Sequence, residues 1–282
     1  MREANFFTVF VGIESPDTDT LVAMQKKQNT RRSLADGVHK IYRAGMFVNA
    51  GFIVGFDSEK GSVADAMIDC IEATAIPFCM VGLLYALPNT QLTRRLAREG
   101  RLFPPDYTMR SADGVGDQCT SGINFETARP RRDILLDYRA VLARIYRPTA
   151  YYERVRTVAR LLDRPVLDIS AREVVSAPRI CGIPLRQLNL LWRLVWRIAV
   201  RQPAALWPFC KVFYECARKN PRAIDDVGML AAVYLHLEPF SRFVIAAIDR
   251  QVAAIDSGEW RAPRMAAAHH APQPAVPQTQ PA

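Results

Sequence analysis

Three short apolar runs, at residues 6–13, 47–54 and 78–86, alternate over the first hundred residues with stretches whose apolar side chains recur at helical spacing. The first is rich in Val and Phe, and all three have the length of a buried strand. Turn formers close them: Ser15-Pro16-Asp17, Gly55-Phe56-Asp57 and Leu87-Pro88-Asn89. Between and after them the spacing predicts helices over 18–27, over 33–44 with Leu34, Val38 and Ile41 on one face and Gly45 at the stop, over 63–74, and over 91–98 before Gly100. Strands alternating with helices at a repeat of roughly 35 residues predict right-handed βαβ units and a parallel sheet. Three units do not close a barrel, and an open sheet leaves its first strand with a bare edge. The first strand begins a few residues after Met1, so the expectation is that upstream strands are missing or come from another chain.

The pattern changes near residue 101. Pro104-Pro105 and a polar loop through Gly114, Gly116 and Gly122 lead into helical candidates over 133–146, 150–163, 184–201, 204–218 and 225–254, punctuated by Pro165, Pro178, Pro203 and Pro221. The expected organisation is a partial barrel over 1–100, a helical domain over 101–261 and a disordered Ala-, Pro- and Gln-rich tail over 262–282.

A formal net charge of +9 admits nucleic acid, an anionic membrane or an acidic substrate as partner. The arginines of the second half, Arg186, Arg193, Arg197 and Arg201, alternate with Leu and Trp, which suggests a surface helix; no nucleic-acid motif accompanies them and no such partner is expected. No stretch reaches the roughly 18 uninterrupted apolar residues needed to span a bilayer, since Arg193, Arg197 and Arg201 break the best candidate, so no membrane span is expected. The segment 185–199 sets Leu188, Trp192, Arg193 and Trp196 close together. It fits a core helix of the α-rich region, or a helix lying in a membrane interface with its arginines on lipid phosphates. The six cysteines, at 70, 79, 119, 181, 210 and 216, show no CxxC spacing and no zinc-site pattern, so no metal site is expected and buried apolar cysteines are. Without a secretory signal the expected location is cytoplasmic, with a membrane-peripheral place left open by the Trp–Arg helix.

Chemistry is expected at the carboxyl ends of the three strands, where α/β folds place ligands. They read Gly12-Ile13-Glu14-Ser15, then Gly51 through Phe56, then Leu84 through Thr90. In this order and spacing they resemble the second half of the radical S-adenosylmethionine (SAM) barrel. The phrases VGIESPDTDTLVAMQKKQNTRR, NAGFIVGFDSE and MVGLLYALPNTQLTRRLAREGRL are similar to the cobalamin-binding subgroup that includes the hopanoid C-2 methylases, and INFETARPRRDILLDYRAVLARIYRPTAYYERV to that subgroup's helical C-terminal domain. The resemblance covers roughly residues 1–260. It implies an α/β then α fold, a half barrel of about three βα units in the TIM style followed by a helical domain.

It further implies roles for five residues. Glu14 matches the polar residue at SAM's amino-acid end, where a carboxylate accepts from an ammonium; capping the next helix is the ordinary alternative. Lys26 matches the basic position facing the SAM carboxylate, with Lys27 adjacent and a solvated lysine as the alternative. Gly51 and Ile53 match the strand that meets ribose and adenine, Gly51 by permitting close approach, and Ala86 matches an adenine contact through backbone; packing explains Ile53 and Ala86 equally.

The departures are as informative. The CxxxCxxC loop that would hold a 4Fe-4S cluster is absent, as are the Gly-rich motif for the SAM amine and a cobalamin domain with its His-containing loop. SAM, cluster and cobalamin are the cofactors of the full-length family, and this chain is not expected to retain them fully. The implied function is the C-terminal portion of a cobalamin-dependent radical SAM methyltransferase acting on a lipid or other unactivated carbon, inactive alone. Its partner would be the missing N-terminal half. The alternative is a non-catalytic remnant or partner-binding subunit.

Overall fold

The fold is that of a computed structural model, described over residues 4, 6–16, 33–104, 119–120, 122–163, 179–180 and 183–263. Three parallel strands, β1 (Thr8–Glu14), β2 (Phe47–Val54) and β3 (Phe78–Leu83), lie in chain order, with β2 in the middle. The first connection contains α1 (Leu34–Arg43) and the second contains α2 (Ala64–Thr74). The helix expected over 18–27 lies outside the described residues.

Local chemistry sets these boundaries. The Asp36 N–H donates to Ser33 Oγ at 3.3 Å, capping the start of α1. At its end Gly45 adopts φ 78°, its N–H donates to Tyr42 O and the Met46 N–H donates to Ile41 O, the paired bonds of a Schellman stop. β3 is shorter than the apolar run that announced it. The Leu84 N–H still donates to Val54 O, but the Leu84 carbonyl accepts from Ile123 N–H, so residues 84–86 leave β2 and turn toward the segment 122–125. Helix α3 (Gln91–Arg98) follows, capped by Thr90 Oγ1 accepting from Thr93 N–H at 3.2 Å.

The second half adds α4 (Arg131–Ile145), α5 (Pro148–Leu161), the short antiparallel pair β4 (Arg179–Ile180) and β5 (Ile183–Pro184), α6 (Leu185–Arg201), α7 (Pro203–Lys219), and, after a single 3-10 turn, α8 (Ile224–Asp256). Pro148 and Pro203 sit in the first turns of their helices, where no N–H is needed. Pro239 sits inside α8 and releases the carbonyl four residues back, and Gln202 Nε2 donates to that Leu235 oxygen at 3.5 Å.

One face of the sheet is covered. Val48, Ala50, Phe52 and Val54 point into it and are buried, against Val38 and Tyr42 of α1, Met67 and Ile71 of α2, and α4. Tyr138 of α4 and Tyr146, just past its end, donate their hydroxyls to Val81 O and Cys79 O, carbonyls that strand alternation turns to the outer edge of β3. Buried residues of α4 to α8 continue the same apolar cluster.

The opposite face of the sheet is bare among the described residues. Phe10 is 59% exposed and Met80 56% exposed, and Gly12, Gly51 and Gly82 lie on the same side. No described residue pairs with the outer edge of β1.

Candidate functional site at the strand ends

β1 ends on a bulge. Its register slips between Gly12 and Glu14, Glu14 takes φ 67°, and the Ser15 N–H donates to Ile13 O at 2.9 Å. A positive φ in a residue with a Cβ is strained, and it swings Glu14 out of the pleat at the strand's carboxyl end. Glu14 pairs in register with Phe52, Gly12 with Gly51, and Ile53 with Gly82. Gly51 is closely covered: a Cβ there would lie 3.1 Å from Cζ of Phe10, whose ring lies across it. A Cβ at Gly82 would meet nothing within 4 Å. The fold thus brings Glu14, Gly51, Ile53 and Ala86 to one end of three adjacent strands. Lys26 lies outside the described residues.

Ala86 is buried, and both its backbone polar groups are taken. Its N–H donates to Asn124 Oδ1 at 2.8 Å and its carbonyl accepts from Asn124 Nδ2 at 3.0 Å. Asn124 therefore acts as a one-residue extension of the sheet. It lies 38 residues from Ala86 in a polar loop, and nothing local in the sequence marks it.

Two further acids follow β2, and arginines hold both. Asp57 receives Arg101 in bidentate fashion at 2.6 and 2.9 Å, and Arg95 at 2.9 Å. Burial opposes its charge, but the bonds from Arg101 win and its carboxyl stays below the usual range. Glu59 Oε1 accepts from the Gly55 and Phe56 N–H groups at 3.0 and 3.1 Å, and Oε2 meets Arg129 at 3.0 Å. Burial of Glu59 nevertheless pushes its pKa up. Arg129 continues to Asp137 at 2.8 Å, which accepts from Ser62 Oγ at 2.6 Å and from the Val63 N–H, at the start of α2, at 3.2 Å. This network ties the β2 turn to α2 and α4.

Among the described residues no three His, Cys, Asp or Glu side chains converge as a metal site would require. Burial pushes the thiols of Cys70 and Cys216 up to about 11 and that of Cys79 up to about 12, so none offers a thiolate at neutral pH. The expectation of buried cysteines holds for Cys79 and Cys216; Cys70 and Cys119 are half-buried, Cys210 is exposed on α7, and Cys181 lies outside the described residues.

Residues 90–250 match a family described as a domain of unknown function, DUF4070. The chain is 34% identical over 252 residues to an uncharacterized methyltransferase, sll1242, of Synechocystis, covering 89% of this chain and 44% of that protein. It is 31% identical over 211 residues to the hopanoid C-2 methylase of Rhodopseudomonas palustris, covering 74% of this chain and 37% of that protein. The chain thus spans less than half the length of these curated relatives. No solved structure matches. The kinship inferred from the strand-end phrases is therefore met in a named relative, and the chain belongs to the DUF4070 family, as a homologue of the hopanoid C-2 methylase.

Proposed function

We propose that this chain supplies the SAM-facing part of a radical SAM methyltransferase that acts on a lipid or other unactivated carbon of the hopanoid kind, and that it works only with further strands. The observation that carries this is the sheet's single winding. Parallel strands in chain order with right-handed crossovers place their helices on one side. A three-stranded arc so built buries its other face only when more strands close it. Here that other face is apolar and partly floored by glycine, with Gly12 beside Gly51 and Gly82 one row on. Such a floor lets a flat ring approach the backbone.

SAM, when bound, supplies the methyl group. Glu14, at the rim, would accept hydrogen bonds from its ammonium; Gly51, Ile53 and Gly82 would bound the space for its adenosine; by the family resemblance, Lys26 would be the counter-charge to its carboxylate. The 4Fe-4S cluster does not fit this chain's own cysteines, which lack the spacing and, where buried, the thiolate form. Among the described residues cobalamin finds no ligand of fitting kind either: His39 lies half-buried within α1, and His236 on the outside of α8.

The capture of Ala86 by Asn124 favours a second proposal, a non-catalytic subunit that docks a partner carrying the other strands. Adenosine titrated into isotope-labelled chain separates the two. Amide shifts concentrated at Gly12, Gly51 and Gly82, lost in Gly51→Val, support the SAM-facing role. Shifts absent or scattered elsewhere remove it and leave the subunit.

A further inference from the structure

We propose that the outward faces of α6, α7 and α8 form a docking surface for an anionic lipid bilayer. On α6, Trp192, Trp196 and Val200 recur every fourth residue and are 68%, 57% and 61% exposed. The neighbouring stripe, Arg193, Arg197 and Arg201, is also exposed. The inner side is ordinary core, with Ile198 buried and Leu191, Leu194 and Val195 packed against the cluster. The tryptophans therefore stand on the outside, and a core role belongs to the other side of the helix.

The same kind of surface continues onto the next two helices. α7 exposes Trp207 (76%) and Tyr214, with Lys211 between them; α8 exposes Phe240 and Phe243. Gln202, at the corner of α6 and α7, donates to Leu235 O and to Glu238 Oε2 at 3.2 Å, so Val200 and Phe240 each lie two residues from one shared contact. Monomeric proteins expose apolar side chains singly; several rings beside a row of cations mark a contact surface.

The charges select the occupant. On the neighbouring helices Arg156 and Arg160 of α5 and Arg242 of α8 sit on carboxylates. Arg193, Arg197 and Arg201 meet no carboxylate among the described residues. A second copy has little to offer them: Glu215 of α7 is held by Arg156, Arg160 and Lys219, and Glu238 of α8 by Arg242. Lipid phosphates supply the missing anions, tryptophan rings settle at headgroup depth, and the net charge of +9 draws the chain toward such a surface.

The chain lies on the bilayer. Helix α8 and its leading turn are, contrary to expectation, long and apolar enough to cross a membrane by length and composition. Its inner face, with Val227, Leu230, Ala231, Tyr234, Val244 and Ile248, is instead buried in the shared core.

This proposal is independent of the methyl-transfer one, and its test uses no cofactor. The full chain is sedimented with phosphatidylglycerol–phosphatidylcholine vesicles and with phosphatidylcholine alone. Binding is expected only to the anionic vesicles, weakened by salt, with a blue shift of tryptophan emission. Trp260, which stacks 5.1 Å from the Arg131 guanidinium, is the tryptophan that stays outside this surface. The triple change Arg193→Gln, Arg197→Gln and Arg201→Gln is expected to lower affinity on the order of 100-fold, at about one basic residue's contribution each. Trp192→Ser with Trp196→Ser and Trp207→Ser is expected to abolish the blue shift, with helical circular dichroism unchanged. No binding by the wild-type chain, binding indifferent to both triple variants, or a lipid-free dimer that the tryptophan variant dissolves would each overturn the proposal.

Discussion

At the scale of single residues, Asn124 does the most with the least warning. Its amide fills both hydrogen-bonding groups of the buried Ala86 peptide, so removing it orphans a buried N–H as well as a carbonyl. Asn124→Ala is expected to cost about 2 kcal/mol, read as a fall in the urea-unfolding midpoint, whereas Asn89→Ala, on the exposed turn, loses only the ease with which Asn takes its φ of 65° and should cost less. The contrast shows which residues a sequence discloses. Glu14, Gly51, Ile53 and Ala86 sit at strand ends that apolar run lengths locate, and the fold brings all four to one end of the sheet. Asn124, Arg101, Arg129 and Asp137 reach the same turns from remote segments, and such pairings leave no periodic trace.

At the scale of elements, β2 (Phe47–Val54) and α3 (Gln91–Arg98) begin and end where period and turn chemistry put them, while α1 is one residue shorter at each end and α2 one residue shorter at its start. The apolar run 78–86 overshoots β3 because Leu84 and Ala86 remain buried after leaving β2: their partners change and their polarity does not. The run 6–13 likewise starts two residues before β1, with Phe6 and Phe7 exposed. Helix–helix contacts were the least legible, since they depend on pairings such as Glu215 of α7 with Arg160 and Arg156 of α5. The Arg160 hydrogen bonds, with Lys219 and Arg156, hold the Glu215 carboxyl down at about 2. A carboxyl depressed by folding stabilises the fold above its ordinary pKa, and that contribution is lost as pH falls toward the depressed value. Between pH ~6 and pH ~3 the wild type is therefore expected to lose about 1 kcal/mol more than Glu215→Gln, the partners being partly exposed and screened. Urea unfolding of both proteins across that range measures the difference; parallel acid limbs would show that the cluster contributes nothing to joining α5 and α7.

At the scale of the whole molecule, the sheet's two edges are treated differently. The outer edge of β3 is covered by Tyr138, Tyr146 and the 122–125 segment, while no described residue pairs with the outer edge of β1. An uncovered edge beside an apolar face is a template for association. Phe6, Phe7, Phe10 and Met80 are all more than half exposed around it. The isolated chain is therefore expected to self-associate through this face at high concentration, detected by sedimentation velocity. Phe10→Lys, which puts a charge across Gly51 without touching the helix-covered side, should shift it to monomer. The tryptophan variant of α6 and α7 should leave that association unchanged, because it alters a different surface. Should Phe10→Lys associate as strongly as the wild type, the bare face is not a surface that needs covering, and the case for a barrel arc completed by other strands loses its physical ground.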